Sequence, residues 1–192
     1  MAKTKSEMIE TGTPAPYFRL PDADGKYFDF EQISGDIGTL VLFICNHCPF
    51  VVHVIEQLTA FSHEMMKRGV GVVAISANDI EKYPDDAPDK MKAFAEKYGF
   101  NFPYLYDESQ ETAKAYRAAC TPDIYLFDEK SKLYYRGRFD GATPGNDVPV
   151  TGEDLRNAAE MLLAGKPVPE HQVASIGCNI KWKAGNEPDY FG

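Results

Sequence analysis

The chain has 192 residues, of which 44% are apolar and 26% charged, so it suits one globular domain with a hydrophobic core. Asp and Glu outnumber Lys and Arg by 29 to 20, and the net charge of −9 disfavours nucleic acid and anionic membranes as partners. The N-terminus lacks the apolar segment of a signal peptide, and the longest apolar stretch, residues 40–45, is too short to cross a bilayer. These features predict a soluble, cytoplasmic protein.

The first elements are predicted from turn residues and apolar runs. Residues 17–20 and 27–30 flank the turn residues 21–25, which predicts an N-terminal β-hairpin. Residues 40–44 are continuously apolar and predict a strand that is buried on both faces. After Pro49, apolar residues recur at helical spacing as far as Gly69, so a helix follows the strand directly.

The rest of the chain continues the alternation of strands and helices. Residues 70–76 repeat the buried-strand pattern, so the first strand, the helix and this strand form a parallel unit with a right-handed crossover. Later elements are predicted as helices at 88–98, 108–116 and 152–164, and as a strand hairpin at 124–127 and 133–139. The pattern predicts one α/β domain over residues 1–192, with a core at about 13–163 and an irregular C-terminal extension at about 165–192.

The chemistry is predicted to lie in the sequence Cys45-Asn46-His47-Cys48, at the junction of the buried strand and the helix. The unpaired N–H groups of a helix N-terminus favour a thiolate, so we expect a lowered pKa at Cys45. The spacing lets Cys48 reach Cys45 and resolve a mixed disulfide. A partly protonated His47 would favour the thiolate further and make the disulfide more oxidising. These residues predict a catalytic dithiol, and the predicted activity is that of a thiol–disulfide oxidoreductase in which Cys45 and Cys48 alternate between dithiol and disulfide.

The cysteine motif and a second segment together carry a resemblance to a known family. Residues 43–50 (FICNHCPF) and 119–128 (ACTPDIYLFD) resemble the thioredoxin-like superfamily. The resemblance is to its redoxin branch, which includes the alkyl hydroperoxide reductases, thiol-specific antioxidants and other peroxiredoxins. It covers about residues 13–163 and implies a thioredoxin-like fold with a central mixed β-sheet flanked by helices.

The resemblance also implies a substrate site and the partners of the reaction. Pro122 matches the position of a cis-proline that lies against the cysteine pair and guides the substrate backbone, with Thr121 before it. The implied partners are a disulfide in a protein or a small thiol compound, together with a thiol reductant. No cofactor and no metal are expected. A homodimer is compatible with the family, although no residue specifies an interface.

A second activity, that of a thiol peroxidase acting through Cys48 or Cys45, is an alternative. Cys48 followed by Pro49 matches the end of the peroxiredoxin signature, but Cys45 stands where that signature has threonine and Val41 where it has proline. The hydroxyl that activates peroxide is therefore missing. Arg136 or Arg138 could supply the cation that such a site needs, although either is more commonly a solvated strand residue.

The two other cysteines and the polar residues nearby leave further alternatives. Cys120 and Cys178 are candidate accessory thiols, and the competing interpretations are inert packing for Cys120 and an unpaired, exposed thiol for Cys178. A non-enzymatic metal module is a third alternative, because Cys45 and Cys48 could bind zinc or a cuprous ion together with His47, Cys120 or His53. The acidic run at 85–89 predicts a solvated loop and helix start.

Overall fold

The computed structural model describes residues 3–191. Residues 1, 2 and 192 of the predicted 1–192 domain lie outside it. The strands are β1 (Lys3–Lys5), β2 (Arg19–Pro21), β3 (Tyr27–Asp29), β4 (Gly38–Phe43), β5 (Val70–Ser76), β6 (Tyr104–Tyr106), β7 (Cys120–Thr121), β8 (Asp123–Asp128), β9 (Leu133–Gly137) and β10 (Ile176–Asn179). The helices are α1 (Phe30–Ile33), α2 (Pro49–Lys67), α3 (Pro88–Tyr98), α4 (Glu111–Ala115) and α5 (Glu153–Leu163), with a 3₁₀ turn at Pro84–Asp86.

The central sheet has the strand order β6-β5-β4-β8-β9. The β4–β5 and β5–β6 pairs are parallel, whereas the β4–β8 and β8–β9 pairs are antiparallel. This mixed sheet confirms the predicted fold class and the closing hairpin. Because β4 and β5 run in the same direction, their carboxyl ends meet at one edge of the sheet. The cysteine motif begins at that edge.

The apolar run of β4 is explained by packing on both faces of the sheet. Leu40 and Leu42 belong to one hydrophobic cluster with residues of α2, α3 and α5, whereas Val41 and Phe43 belong to a second cluster on the opposite face. Full burial of each such side chain contributes roughly 1.5–3 kcal/mol to the free energy of folding. The strand that leads to the cysteines is therefore held from both sides.

The N-terminal hairpin is also present, because β2 and β3 pair antiparallel with Arg19 opposite Asp29. A short helix that the sequence analysis missed, α1, follows directly. Its N-cap is Asp29, whose side chain accepts from the backbone of Gln32, while the Gln32 side chain accepts from the Asp29 N–H. Such a capping box satisfies two donors that a helix start otherwise leaves unpaired.

The C-terminal extension is not wholly irregular, which corrects the prediction for residues 165–192. Its strand β10 lies between β1 and β7 in a separate antiparallel sheet, with Cys178 opposite both Lys3 and Thr121. After the strand, Trp182 is only 6% exposed and joins the second hydrophobic cluster, where it contacts Tyr190. The extension therefore lies against the core.

Two other predicted elements are shorter than expected. The helix expected at 108–116 is reduced to α4, because Gln110 at its N-cap has a positive φ of 65°. The strand expected at 133–139 is β9, which ends at Gly137. None of the helices within residues 3–191 combines the length and the apolar character needed to span a bilayer.

Candidate active site

The cysteine pair lies where β4 gives way to α2, as predicted. Cys45 follows the end of β4 by two residues, and Cys48 is the N-cap of α2, with Pro49 at the first helical position. Proline suits that position because its missing N–H would have no partner there. Both cysteines are buried, with exposures of 1% for Cys45 and 0% for Cys48.

Thr121 contacts both sulfur atoms. Phe43 pairs with Asp123 across β4 and β8, which brings the end of β7 beside the cysteine turn. The Cys45 Sγ lies 3.4 Å from the Thr121 Oγ1, and the Cys48 Sγ lies 3.2 Å from the Thr121 carbonyl oxygen, to which its thiol donates when it is protonated. The peptide bond between Thr121 and Pro122 is cis, as the resemblance implied. The predicted catalytic and substrate-binding positions therefore come together.

The acidities of the two thiols differ from the prediction. The hydrogen bond from Cys45, opposed by burial and aided by Cys178, lowers the pKa of Cys48 to about 5. The same bond to Cys48, together with burial and the charge of Asp86, raises the pKa of Cys45 well above its ordinary value. Because the two thiols interact, the first proton that leaves is lost by the pair as a unit. The charge then rests on Cys48 because this residue caps the helix and receives the S–H donors, whereas Cys45 faces a carboxylate.

That carboxylate, Asp86, is fully buried, so the prediction of a solvated run at 85–89 was wrong at this residue. Its oxygens accept from the Asn46 backbone N–H at 2.8 Å and from the Asn78 side chain at 2.7 Å. Burial would raise the pKa of Asp86, but His47 and these donors outweigh burial and lower it. The carboxylate is therefore charged, and it fixes the turn between the cysteines.

His47 is held between this carboxylate and an aromatic ring. Its Nδ1 lies 2.7 Å from the Asp86 Oδ2, and its ring stacks on Tyr83 with an interplanar angle of 4°. The interaction with Asp86 raises the pKa of His47, against the effect of partial burial. The imidazole therefore favours its protonated form. The proposed effect of His47 on the redox potential stays a prediction.

The two accessory cysteines lie on opposite faces of the same strand pair. Cys178 is opposite Thr121 and belongs to the hydrophobic cluster that contains Cys45 and Cys48, so it is not the exposed tail thiol of the competing interpretation. Cys120 is opposite Asn179, and its thiol points to the Pro122 carbonyl at 3.7 Å. Successive strand residues face opposite ways, so only Cys178 shares the face of the redox pair.

The donor atoms that could bind a metal differ from the predicted set. Cys45, His47 and Asp86 each place a ligand atom within 4.8 Å of the others, and this group includes neither Cys120 nor His53. A structural zinc site takes four such ligands. The Asp86 oxygens here are already engaged by three hydrogen-bonding neighbours. A metal would have to compete with this network.

The part of the chain that contains this site also matches a known protein family. The family model described as the AhpC/TSA family matches residues 11–136, which include the cysteine pair and the Thr121-Pro122 bond. The chain belongs to the AhpC/TSA family. This match confirms the resemblance to the redoxin branch of the thioredoxin-like proteins.

Relatives of this AhpC/TSA chain include proteins that carry an assigned activity. It is 25% identical over 130 residues to a thiol-disulfide oxidoreductase ResA of Bacillus thuringiensis subsp. konkukian, which covers 68% of this chain and 70% of that protein. An uncharacterized conserved protein from Geobacillus kaustophilus has a crystal structure with 52% identity and a TM-score of 0.93, covering 95% of this chain and 97% of that one. The thioredoxin domain of a Bacteroides vulgatus thiol-disulfide oxidoreductase shares the fold, with a TM-score of 0.62, 18% identity and coverage of 81% and 99%.

Both arginines that were considered for a peroxidase role in this AhpC/TSA chain are engaged elsewhere. Arg136 is fully buried rather than solvated, and it pairs with Asp123 at 3.2 Å. Arg138 is partly exposed and pairs with Asp154 at 2.5 Å. Within residues 3–191 neither guanidinium forms a hydrogen bond or ion pair with Cys45 or Cys48.

The sequence analysis missed the residues that support the cysteine turn from the end of β5, from β6 and from the extension. Asn78 lies two residues after β5. Its side-chain amide donates to Asp86 and accepts a hydrogen bond from the Lys181 backbone N–H at 2.8 Å. Tyr104 donates to the Asn46 side chain at 3.0 Å. The position of Asn78 at the carboxyl end of a parallel strand was the available signal.

Proposed function

We propose that this protein is a thiol–disulfide oxidoreductase in which Cys45 and Cys48 alternate between a dithiol and a disulfide. The observation that carries the proposal is the convergence of both sulfur atoms on Thr121, beside cis-Pro122. Membership of the AhpC/TSA family and the relatives named thiol-disulfide oxidoreductase ResA support the activity class.

The proposed reaction begins with Cys45, whose neighbours Asn46 and His47 are only partly buried. Its proton passes to Cys48 along the hydrogen bond between the two thiols. The Cys45 sulfur then attacks the substrate disulfide, forms a mixed disulfide and releases one substrate thiolate, which takes up a proton. In the second step Cys48 gives its proton to the departing substrate sulfur. Its thiolate, which the Cys178 thiol and the Val51 backbone N–H still favour, attacks Cys45 and releases the other substrate thiol. Two electrons pass to the substrate, and a thiol reductant regenerates the dithiol.

The substrate is proposed to bind beside Pro122. A pocket of about 240 Å³ adjoins this proline and is lined by Phe50 and Val54 of α2 and by charged residues that include Lys5, Arg138 and Asp140. Its mixed lining suits a peptide segment or a small thiol compound that has an apolar part.

The test is an equilibrium titration of the purified protein in glutathione buffers, with disulfides mapped by mass spectrometry. The proposal expects a reversible Cys45–Cys48 disulfide and catalysed reduction of a model protein disulfide such as that of insulin. A Cys45→Ser variant should lose the catalysis and a Cys120→Ser variant should keep it. A pair that never oxidises across the titration would refute the proposal.

Thiol peroxidase activity is a second candidate, which would give the protein an antioxidant role. The low pKa of Cys48 favours it, because a thiolate is the form that attacks peroxide. The engagement of Arg136 and Arg138 with carboxylates weighs against it. Rapid consumption of hydrogen peroxide, with a sulfenic acid trapped at Cys48, would favour this candidate over disulfide exchange.

Location in the cytoplasm and formation of a homodimer are separate proposals. A cysteine pair that works as a dithiol suits a reducing compartment, where a thiol donor can regenerate it. Cell fractionation tests the first proposal, and sedimentation of the purified protein tests the second.

A further inference from the structure

We propose that Cys178 is a third redox thiol of this site, which exchanges with the Cys45–Cys48 disulfide to form a Cys48–Cys178 disulfide. The proposal deepens the dithiol mechanism and rests on it.

The position of Cys178 follows from the strand register. Cys178 is directly opposite Thr121 in the antiparallel pair of β10 and β7. Opposite residues of such a pair project from the same face, with Cβ atoms about 4.5–5.5 Å apart. The Thr121 side chain on that face contacts Cys45, and the Thr121 carbonyl contacts Cys48. The three thiols therefore surround one threonine.

The segment that carries Cys178 is held closely against β7. A Cβ built at Gly177 would lie 2.0 Å from the Thr121 carbonyl oxygen, so only glycine allows this approach. On its other edge β10 pairs with β1, and three residues after Cys178 the Lys181 N–H donates to Asn78. The Cys178 side chain is 4% exposed. The structure thus keeps this thiol beside the redox pair.

Burial is the main cause of the low acidity of Cys178, and the charge on Cys48 adds to it. Burial and the hydrogen bond to Cys48 raise the pKa of Cys178 to about 12 in the reduced protein, so it stays protonated. When Cys48 is in a disulfide it carries no negative charge. The hydrogen bond from Cys178 to the Cys48 thiolate is then lost, and so is the repulsion between that thiolate and a Cys178 thiolate. Cys178 then loses its proton more easily. Its nucleophilicity is therefore coupled to the oxidation of the pair.

The exchange balances without another reactant. The Cys178 sulfur loses its proton and attacks the Cys48 sulfur, the Cys45–Cys48 bond breaks, and Cys45 leaves as a thiolate that takes up a proton. The oxidation level of the protein is unchanged. The result is a buried Cys48–Cys178 disulfide and a free Cys45, which is again available to a substrate. One protein molecule would then contain both a disulfide, Cys48–Cys178, and a free nucleophilic thiol, Cys45.

The first test oxidises a Cys45→Ser variant with glutathione disulfide and maps the products in a non-reduced digest. We expect a Cys48–Cys178 disulfide. Adding Cys120→Ser, which changes the neighbouring position on the opposite face, should leave that product unchanged, whereas adding Gly177→Ala should greatly reduce it. A stable mixed disulfide of glutathione at Cys48, or a Cys48–Cys120 bond, would overturn the proposal.

The second test uses the oxidised wild-type protein and alkylation of its free thiols. We expect a fraction of molecules with Cys45 alkylated, and no such fraction in a Cys178→Ala variant. If wild type forms the Cys45–Cys48 disulfide reversibly but Cys45 is never alkylated, the third-thiol proposal fails and the dithiol mechanism stands. If neither disulfide forms, both proposals fail.

Discussion

The buried carboxylate of Asp86 lies 2.7 Å from the Nδ1 of His47, within the turn that joins the two cysteines. The two side chains come from separate loops, one after β4 and one in the 3₁₀ turn at Pro84–Asp86. Their pairing fixes the geometry of the cysteine turn and the protonation of the imidazole.

An Asp86→Asn substitution should lower the pKa of His47 and reduce the free energy of unfolding by about 1–3 kcal/mol, because a hydrogen-bonded buried charge is lost. The stability that Asp86 contributes is present above its unfolded pKa of 3.8. It is lost as the pH falls through the lowered pKa of Asp86 in the folded protein. The stability that His47 contributes is fully present below its unfolded pKa of 6.5. It is lost as the pH rises through the raised pKa of His47 in the folded protein.

The stability difference between wild type and Asp86→Asn should therefore be largest between pH 3.8 and 6.5 and shrink at higher pH. Denaturant unfolding at several pH values and an NMR titration of His47 measure both effects. Asp85→Asn is the matched control, because the Asp85 side chain is exposed and only its backbone carbonyl accepts from Asn46. A pH-independent difference would contradict the assigned pairing.

A Cys45→Ala substitution should raise the pKa of Cys48 from about 5 towards the ordinary value of 9.0, because the main donor to its thiolate is removed. The ultraviolet absorbance of the thiolate as a function of pH measures this shift. Cys120→Ala, which removes a thiol on the opposite face, should leave the titration unchanged. An unshifted pKa of Cys48 would contradict the assignment of Cys45 as the main donor to its thiolate.

A Thr121→Val substitution should slow the reaction of the reduced protein with a small disulfide by roughly 2- to 13-fold, equivalent to about 0.5–1.5 kcal/mol for one hydrogen bond. The Thr121 hydroxyl lowers the pKa of Cys45, so its loss makes this thiol harder to deprotonate. Stopped-flow kinetics measure the rate. The same change at Thr59, whose buried hydroxyl has no hydrogen-bond partner among the described residues, is the control and should leave the rate intact.

An Asp123→Ala substitution should reduce the free energy of unfolding by roughly 3–5 kcal/mol, because it leaves the fully buried Arg136 without a counter-charge. Asp154→Ala removes the partner of the partly exposed Arg138 and should cost about 1 kcal/mol or less. Denaturant unfolding of the two variants gives the comparison. Equal losses would mean that burial does not distinguish the two ion pairs.

The parts of the fold that were predictable are those with a strong local pattern. The apolar run of β4, the helical spacing of α2 and the cysteines between them were recognisable because each depends on neighbouring residues. The approach of Pro122 to the pair came from the resemblance, since no local pattern connects the two segments. These elements placed the predicted site residues together.

Two features of the site lay beyond the sequence patterns. Strand β10 has four residues in a segment rich in Gly and Pro, and its partner Thr121 is distant in the chain. The acidic run at 85–89 is typical of solvated loops, yet Asp86 is buried because Asn46, His47 and Asn78 supply its partners. Both features depend on long-range contacts.

The packing of Trp182 gives the protein a built-in optical signal. It is the single tryptophan of the sequence, it is buried, and it follows Cys178 on the same segment. Any event that lifts this segment from the core would move the indole from an apolar environment into water and shift its emission to longer wavelength. The fluorescence of the unlabelled protein can therefore follow the position of the extension in real time while the thiols react.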